Sequence, residues 1–229
     1  MCAQFLVKSK LTKIASKVDA VPLKAEAGEW KERILPYNQA PVIVQDEKEK
    51  HIRLMQFSLV PSWSKERKVK FATHNARLYS FDEKQQIEVP IYEKPTWRGA
   101  FSSRHCLVPM TAFIEPIYHG KMAGNMVSFL TKDEDIFFAA GIWEEWISKK
   151  DGEVIDSFSI LTDDPVPFVK KIGHSRSPVF LDENAFDQWL EPGKKDPKEL
   201  LKLLRENKAK LDFTAEVDRP LAKGWEKRA

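Results

Sequence analysis

A chain of 229 residues with 42% hydrophobic and 31% charged residues has enough apolar content for one substantial core, which excludes the disordered and fibrous classes. The formal charge of +3 permits contact with nucleic acid but is too small to demand it. No apolar run reaches the roughly 20 residues of a membrane-spanning helix, and the opening MCAQFLVKSK lacks a signal-peptide pattern. These features predict a cytoplasmic protein, one domain over residues 1–229, monomeric and without a membrane partner.

In chain order, the predicted elements begin with a strand from Cys2 to Lys8 and a helix from Leu11 to Val18. Runs rich in Val, Ile, Phe and Trp, punctuated by Pro, Gly and charge, predict strands at Val42 to Gln45, Ile52 to Phe57, His105 to Val108 and Ala112 to Ile117. The same signal predicts Met126 to Thr131, Ile136 to Ile147 and Ser157 to Thr162. Asp182 ahead of ENAFDQWL, and Asp196-Pro197 ahead of LLKLLREN, carry helix start signals. The predicted fold class is α+β and mainly antiparallel, and residues 190–229 are expected to form a helical segment and tail. Lysine-rich stretches at Lys65 to Lys70 and Lys194 to Lys202 read as solvated faces.

Chemistry is concentrated at a few positions. Removal of Met1 would turn Cys2 into an N-terminal 1,2-aminothiol. An α-amine titrates near pH 7.7 to 8.0, so a usable neutral fraction exists where a lysine would be protonated. Such an amine can attack an aldehyde, and the adjacent thiol can close the imine into a thiazolidine. A cysteine near a terminus is more often without function. Asn75 and Arg77, spaced by two, would share one face of an extended segment, an amide beside a phosphate-holding guanidinium, or else form an ordinary turn. Glu115 is a lone carboxylate in AFIEPI. Buried, it would titrate high and shuttle protons; at a strand end broken by Pro116 it would simply face water. His174 and Arg176 lie in the loop GHSRSP, suited to proton exchange and phosphate contact or to an unremarkable loop. Cys106 reads as a buried small hydrophobe. The two cysteines and five histidines show no metal-ligand spacing, and no P-loop or GxGxxG is present, so neither metal nor cofactor is expected.

In this order, Met1-Cys2, Tyr37-Asn38-Gln39-Ala40-Pro41, Leu59-Val60-Pro61-Ser62-Trp63, Asn75-Ala76-Arg77, Arg104-His105-Cys106-Leu107-Val108-Pro109 with Phe113-Ile114-Glu115, Thr162, and His174-Ser175-Arg176-Ser177-Pro178 resemble the SOS response-associated peptidase (SRAP) family. The resemblance implies twisted antiparallel sheets forming a partly open barrel with short flanking helices. It also implies autocatalytic removal of Met1 and a thiazolidine crosslink from Cys2 to abasic sites in single-stranded DNA, including sites at single-strand/double-strand junctions. A nucleoid-associated protein of the DNA damage response is then expected. By the same resemblance Asn75 would position the cysteine, and Glu115 would move protons. His174 would assist sugar-ring opening and Schiff-base chemistry, and Arg77 and Arg176 would hold phosphates. Asn38, Pro41, Trp63 and Thr162 would line the DNA groove.

The chain departs from the family pattern at Ala3-Gln4, where Gly-Arg is usual, at Phe57-Ser58 in place of Trp-Gly, and at Ile114 and Pro116 beside the glutamate. The family's asparagine-containing C-terminal segment is not recognisable in Val217 to Trp225. Two other readings of the same residues remain: an N-terminal-nucleophile amidohydrolase acting on a separate amide, and a non-covalent single-strand binder using the seven tryptophans and the Lys/Arg content.

Overall fold

The computed structural model describes residues 4–22, 29–133 and 135–228. Cys2, and with it the first two positions of the predicted opening strand, lies outside the described residues. From the N-terminal end the chain forms β1 (Gln4–Leu6), α1 (Leu11–Val18), β2 (Ala20–Pro22), β3 (Arg33–Ile34), β4 (Gln39–Gln45) and β5 (Lys50–Phe57). Then follow β6 (Asn75–Arg77), β7 (Tyr79–Asp82), β8 (Ile87–Pro90), α2 (Arg98–Ser103), β9 (His105–Met110), β10 (Ala112–Ile117), β11 (Asn125–Thr131) and β12 (Phe137–Ile147). The remainder is β13 (Val154–Asp163), α3 (Pro167–Ile172), β14 (Ser177–Pro178), α4 (Phe186–Leu190), α5 (Pro197–Glu206) and β15 (Phe213–Pro220).

Two sheets carry the architecture. One is five-stranded, in the order β15-β11-β10-β1-β3. The other runs β14-β13-β12-β9-β4-β5-β2 with β6 attached to β13. Within it β13 also pairs in parallel with β5, Phe158 opposite Phe57. That pairing closes β13, β12, β9, β4 and β5 into a barrel. The rings of Phe57 and Phe158 stack 5.3 Å apart at the closure, an offset aromatic contact that adds to the simple burial of area. The α+β, mainly antiparallel, barrel-containing fold expected from the sequence is the fold observed.

The sheets meet through aromatic side chains. Phe113, Phe129 and Phe213 come from the five-stranded sheet, Phe137 and Phe180 from the barrel side, and their centroids lie between 4.8 and 5.8 Å apart. Period-2 burial in β10 sends Phe113, Glu115 and Ile117 to one face. Phe113 and Ile117 belong to the main core, and Ile114 turns to a separate small cluster with Leu6 and Met126. Glu115 therefore shares the core-facing side of its strand.

The helix start signals are satisfied: the Asp182 carboxylate accepts from Asn184 N–H at 3.0 Å and the Asp196 carboxylate from Lys198 N–H at 2.7 Å. The C-terminal stretch requires a correction. After α5 the chain does not trail off as a tail but forms the eight-residue strand β15, paired along β11 from Thr131↔Phe213 to Asn125↔Pro220. Its charged, largely solvent-facing pattern hides an edge strand from a search for apolar alternation.

Candidate active site

Glu115 is fully buried. Burial in low dielectric penalises its charged form and pushes the carboxyl up to about 7. Facing it at 3.5 Å is His174, Nε2 to Oε2. Burial acts on the imidazole in the opposite sense, lowering it to about 4. His174 Nδ1–H donates to the Arg176 carbonyl at 2.8 Å, which leaves the Nε2 lone pair directed at the carboxyl. At neutral pH the pair is thus a neutral imidazole beside a carboxyl close to half-protonated, able to give or take one proton.

The loop that delivers His174 is fixed at both ends. Gly173 closes α3 at φ +111°, where a Cβ would stand 2.4 Å from the His119 carbonyl oxygen. Only glycine fits this approach to the chain just beyond β10. On the other side β14 pairs with β13, Ser177 opposite Asp163, and Ser177 Oγ accepts from Val166 N–H at 3.2 Å.

Asn75 and Arg77 sit on β6, in parallel register with Ile160 and Thr162 of β13. Asn75 and Thr162 are buried and Arg77 is partly exposed. Arg176 is held below the usual guanidinium range by burial and then by the positive charge of Arg77, so the two cations are neighbours. A third joins them. Lys94 Nζ donates to the Arg77 carbonyl at 3.1 Å, and burial, followed by Arg176 and Arg77, lowers it to about 8. No local pattern in Tyr92-Glu93-Lys94-Pro95 marks this lysine; only the fold brings it to the arginines.

The remaining candidates are placed around this centre. Trp63 is 57% exposed, in a segment tied down by Trp146 Nε1–H donating to the Ser64 carbonyl at 2.8 Å. A groove of about 290 Å³ lined by Tyr37, Lys70, Phe71 and His74 opens next to Asn75 in the chain. Asn38 turns its Oδ1 onto its own turn, accepting from Leu35 N–H at 3.1 Å, and Pro41 is buried in β4. Cys106 is fully buried, and burial pushes its thiol up, the behaviour of a structural cysteine. Among the described residues no cluster of three or more His, Cys, Asp or Glu could hold a metal ion, and no helix is long and apolar enough to cross a membrane.

The described chain starts beside the Glu115–His174 pair. β1 runs antiparallel to β10 with Gln4 opposite Ile114, one residue from Glu115. Gln4 occupies a cationic neighbourhood, its Oε1 accepting from Arg219 at 3.0 Å and Arg33 at 3.4 Å. Both arginines also pair with Asp218.

The family model for SOS response associated peptidase (SRAP) matches residues 1–220. Abasic site processing protein YoaM of Bacillus subtilis is 28% identical over 209 residues, covering 89% of this chain and 85% of the relative. Abasic site processing protein HMCES of Mus musculus is 29% identical over 201 residues, 74% of this chain and 55% of the longer relative. A solved structure from Bacteroides thetaiotaomicron superposes with a TM-score of 0.72 at 23% identity, covering 100% of this chain and 95% of the other. One from Bordetella bronchiseptica gives 0.73 at 19% identity, with 95% and 100% covered.

Proposed function

Because the chain belongs to the SOS response-associated peptidase family, we propose that it processes abasic sites in DNA, capturing the ring-opened sugar covalently through Cys2 after loss of Met1. The observation that carries this reading is the buried Glu115–His174 pair, 3.5 Å apart, beside the strand that begins the described chain. Cys2 is two residues from Gln4, at most about 7 Å of chain, which keeps it within reach of a carboxyl one register position beyond Gln4's partner. The names of the relatives, abasic site processing proteins, support the substrate class.

The neutral Cys2 amine adds to the sugar aldehyde, giving a carbinolamine. Glu115, protonated, donates to the departing hydroxyl, and water leaves as the imine forms. The Cys2 thiol then adds to the imine carbon, its sulfur bonding to carbon and its proton passing to the nitrogen, so the thiazolidine forms with net loss of one water. His174, neutral at working pH, accepts the proton that the C1 hydroxyl loses when the sugar ring opens and returns it to the ring oxygen as the C1–O4′ bond breaks. For Met1 removal Glu115 acts in the reverse sense, as the base for the hydrolytic water. Asn75 orients the amine, and Arg77 and Arg176 take the phosphate beside the lesion, as charge-assisted donors do. With no base to read at the lesion, recognition rests on the aldehyde, backbone contacts and stacking of neighbouring bases, which single strands offer most readily.

The test is adduct formation on a denaturing gel with an abasic single-stranded oligonucleotide. A wild-type adduct that is absent in Cys2→Ala is expected. An adduct retained in Cys2→Ala would overturn the covalent reading, and lesion-independent, purely salt-sensitive binding would replace it with simple single-strand binding.

A further inference from the structure

From their composition, the lysines at Lys194 to Lys202 belong to a solvated face, but the fold gives part of that stretch a second character. On α5, Lys198, Lys202 and Arg205 are spaced by four and three residues and so share one helix face. All three are exposed, and the opposite face buries Leu200, Leu203 and Leu204 in the core. These cations line one wall of an open groove of about 420 Å³ whose other wall is Tyr79 and Tyr92. Among the described residues Glu206 is the one acid lining it, and its carboxylate is 4.0 Å from Lys202 Nζ with both groups exposed. Contact at that distance and exposure does little to neutralise the wall.

A chain of contacts links the groove to the site. Arg205 lies over the Tyr79 ring, 4.5 Å from its centroid. The Tyr79 carbonyl in turn accepts from Arg176 Nη2 at 3.4 Å, and Arg176 is the neighbour of Arg77. Arg176, Tyr79 and Arg205 therefore form a relay of contacts from the His174 loop to the outer face of α5. Glu88 and Asp163 stand near Tyr79, and Asp163 is already engaged by Lys208 at 2.7 Å.

Building on the abasic-site reading, we propose that this groove carries the single strand on one side of the lesion, with bases stacked on Tyr92 and the Arg205–Tyr79 pair and phosphates held by Lys198, Lys202 and Arg205. Aromatic faces beside a basic wall suit a nucleic-acid strand, because every base has a π-face and every nucleotide a phosphate. An acidic peptide would use the cations and leave the rings without a role. The four-residue separation of Lys198 and Lys202 along the helix, about 6 Å, suits contact with successive phosphates.

The experiment measures binding of unmodified single-stranded DNA against salt, for wild type and the triple variant Lys198→Ala/Lys202→Ala/Arg205→Ala, with melting temperature checked for each. Three lost phosphate contacts are expected to flatten the log–log salt slope by about 2 units. In abasic oligonucleotides, where the lesion fixes the register, the triple variant should bind more weakly only when the strand is extended on one side of the lesion. Tyr92→Ala should weaken binding about tenfold at an unchanged slope. Adduct yield on an oligonucleotide too short to reach α5 should stay at the wild-type level. An unchanged slope in the triple variant, with wild type binding normally, overturns this inference alone. Competition at this face by polyglutamate but not by DNA overturns it in favour of an acidic partner. Failure of wild type to bind single strands at all removes the abasic-site reading as well.

Discussion

At the scale of single residues, Glu115 was conspicuous in the sequence because a carboxylate inside AFIEPI needs an explanation, but the sequence left a solvent-facing strand end equally open. The strand continues through Pro116 to Ile117 and the carboxylate faces the core. The consequence for stability has a definite sign. A glutamate ordinarily near 4.5 is raised to about 7 in the fold, so the native state keeps a proton that the unfolded chain releases between those values. Its contribution is complete below about pH 4.5 and is lost as pH rises toward 7. His174, lowered from 6.5 to about 4, contributes oppositely, losing stability as pH falls through that range. The two slopes offset each other in the wild type. Glu115→Gln should therefore gain stability relative to wild type as pH rises from about 4.5 to 7, by on the order of 3 kcal/mol. Chemical denaturation at several pH values measures this, and a difference independent of pH would contradict the burial argument.

Ser58 is a second residue whose meaning depends on backbone geometry. The family usually has glycine there, and Ser58 is buried at φ +99°, a region that costs a side-chain-bearing residue of order 1 to 3 kcal/mol. Part of that gain is offset by the greater freedom glycine has when unfolded. Ser58→Gly should stabilise the protein by about 1 kcal/mol, raising Tm by roughly 2 to 4 °C. A lower Tm would show that the serine hydroxyl contributes more than the strain costs. Lys94, Arg33 and Arg219 mark the limit of residue-level reading, since each reaches the site region through tertiary contacts with no local signature.

Among elements, the long half-buried strands were legible from period-2 alternation and clusters of β-branched and aromatic residues, and their ends shifted by only a few residues. Short or exposed strands were not. β6 has three residues and exists because β13 offers an open edge, and β15 has too few apolar residues to alternate. The α3–β14 connection shows the same dependence on context. GHSRSP reads as an ordinary loop, yet Gly173 alone permits its approach to the His119 carbonyl. Gly173→Ala must move backbone on one side of that contact and also adopt a left-handed conformation. The expected result is a loss of about 2 kcal/mol together with slower adduct formation, as His174 withdraws from Glu115. Melting and single-turnover adduct kinetics report the two effects, and wild-type values in both would refute this role for the glycine.

For the whole molecule, the barrel closure was the feature least accessible to local reasoning. It depends on a parallel contact between β5 and β13, strands about a hundred residues apart, which no periodicity announces. The resemblance carried by the ordered motifs implied a barrel, but a partly open one; the closure itself is found only in the structure. The same fold gathers Glu115 from β10, Arg77 from β6 and the His174–Arg176 pair from the α3–β14 loop, and it sets the start of β1 beside the first of them. Everything proposed for the site depends on Cys2 being the reacting residue with its amine free. The most direct test is to digest the crosslinked wild-type protein with trypsin and identify the DNA-bearing peptide by mass spectrometry. The expected product is the peptide of residues 2–8, lacking Met1 and joined to the sugar with net loss of one water. A DNA-bearing peptide that retains Met1, or attachment at a lysine elsewhere in the chain, would contradict it.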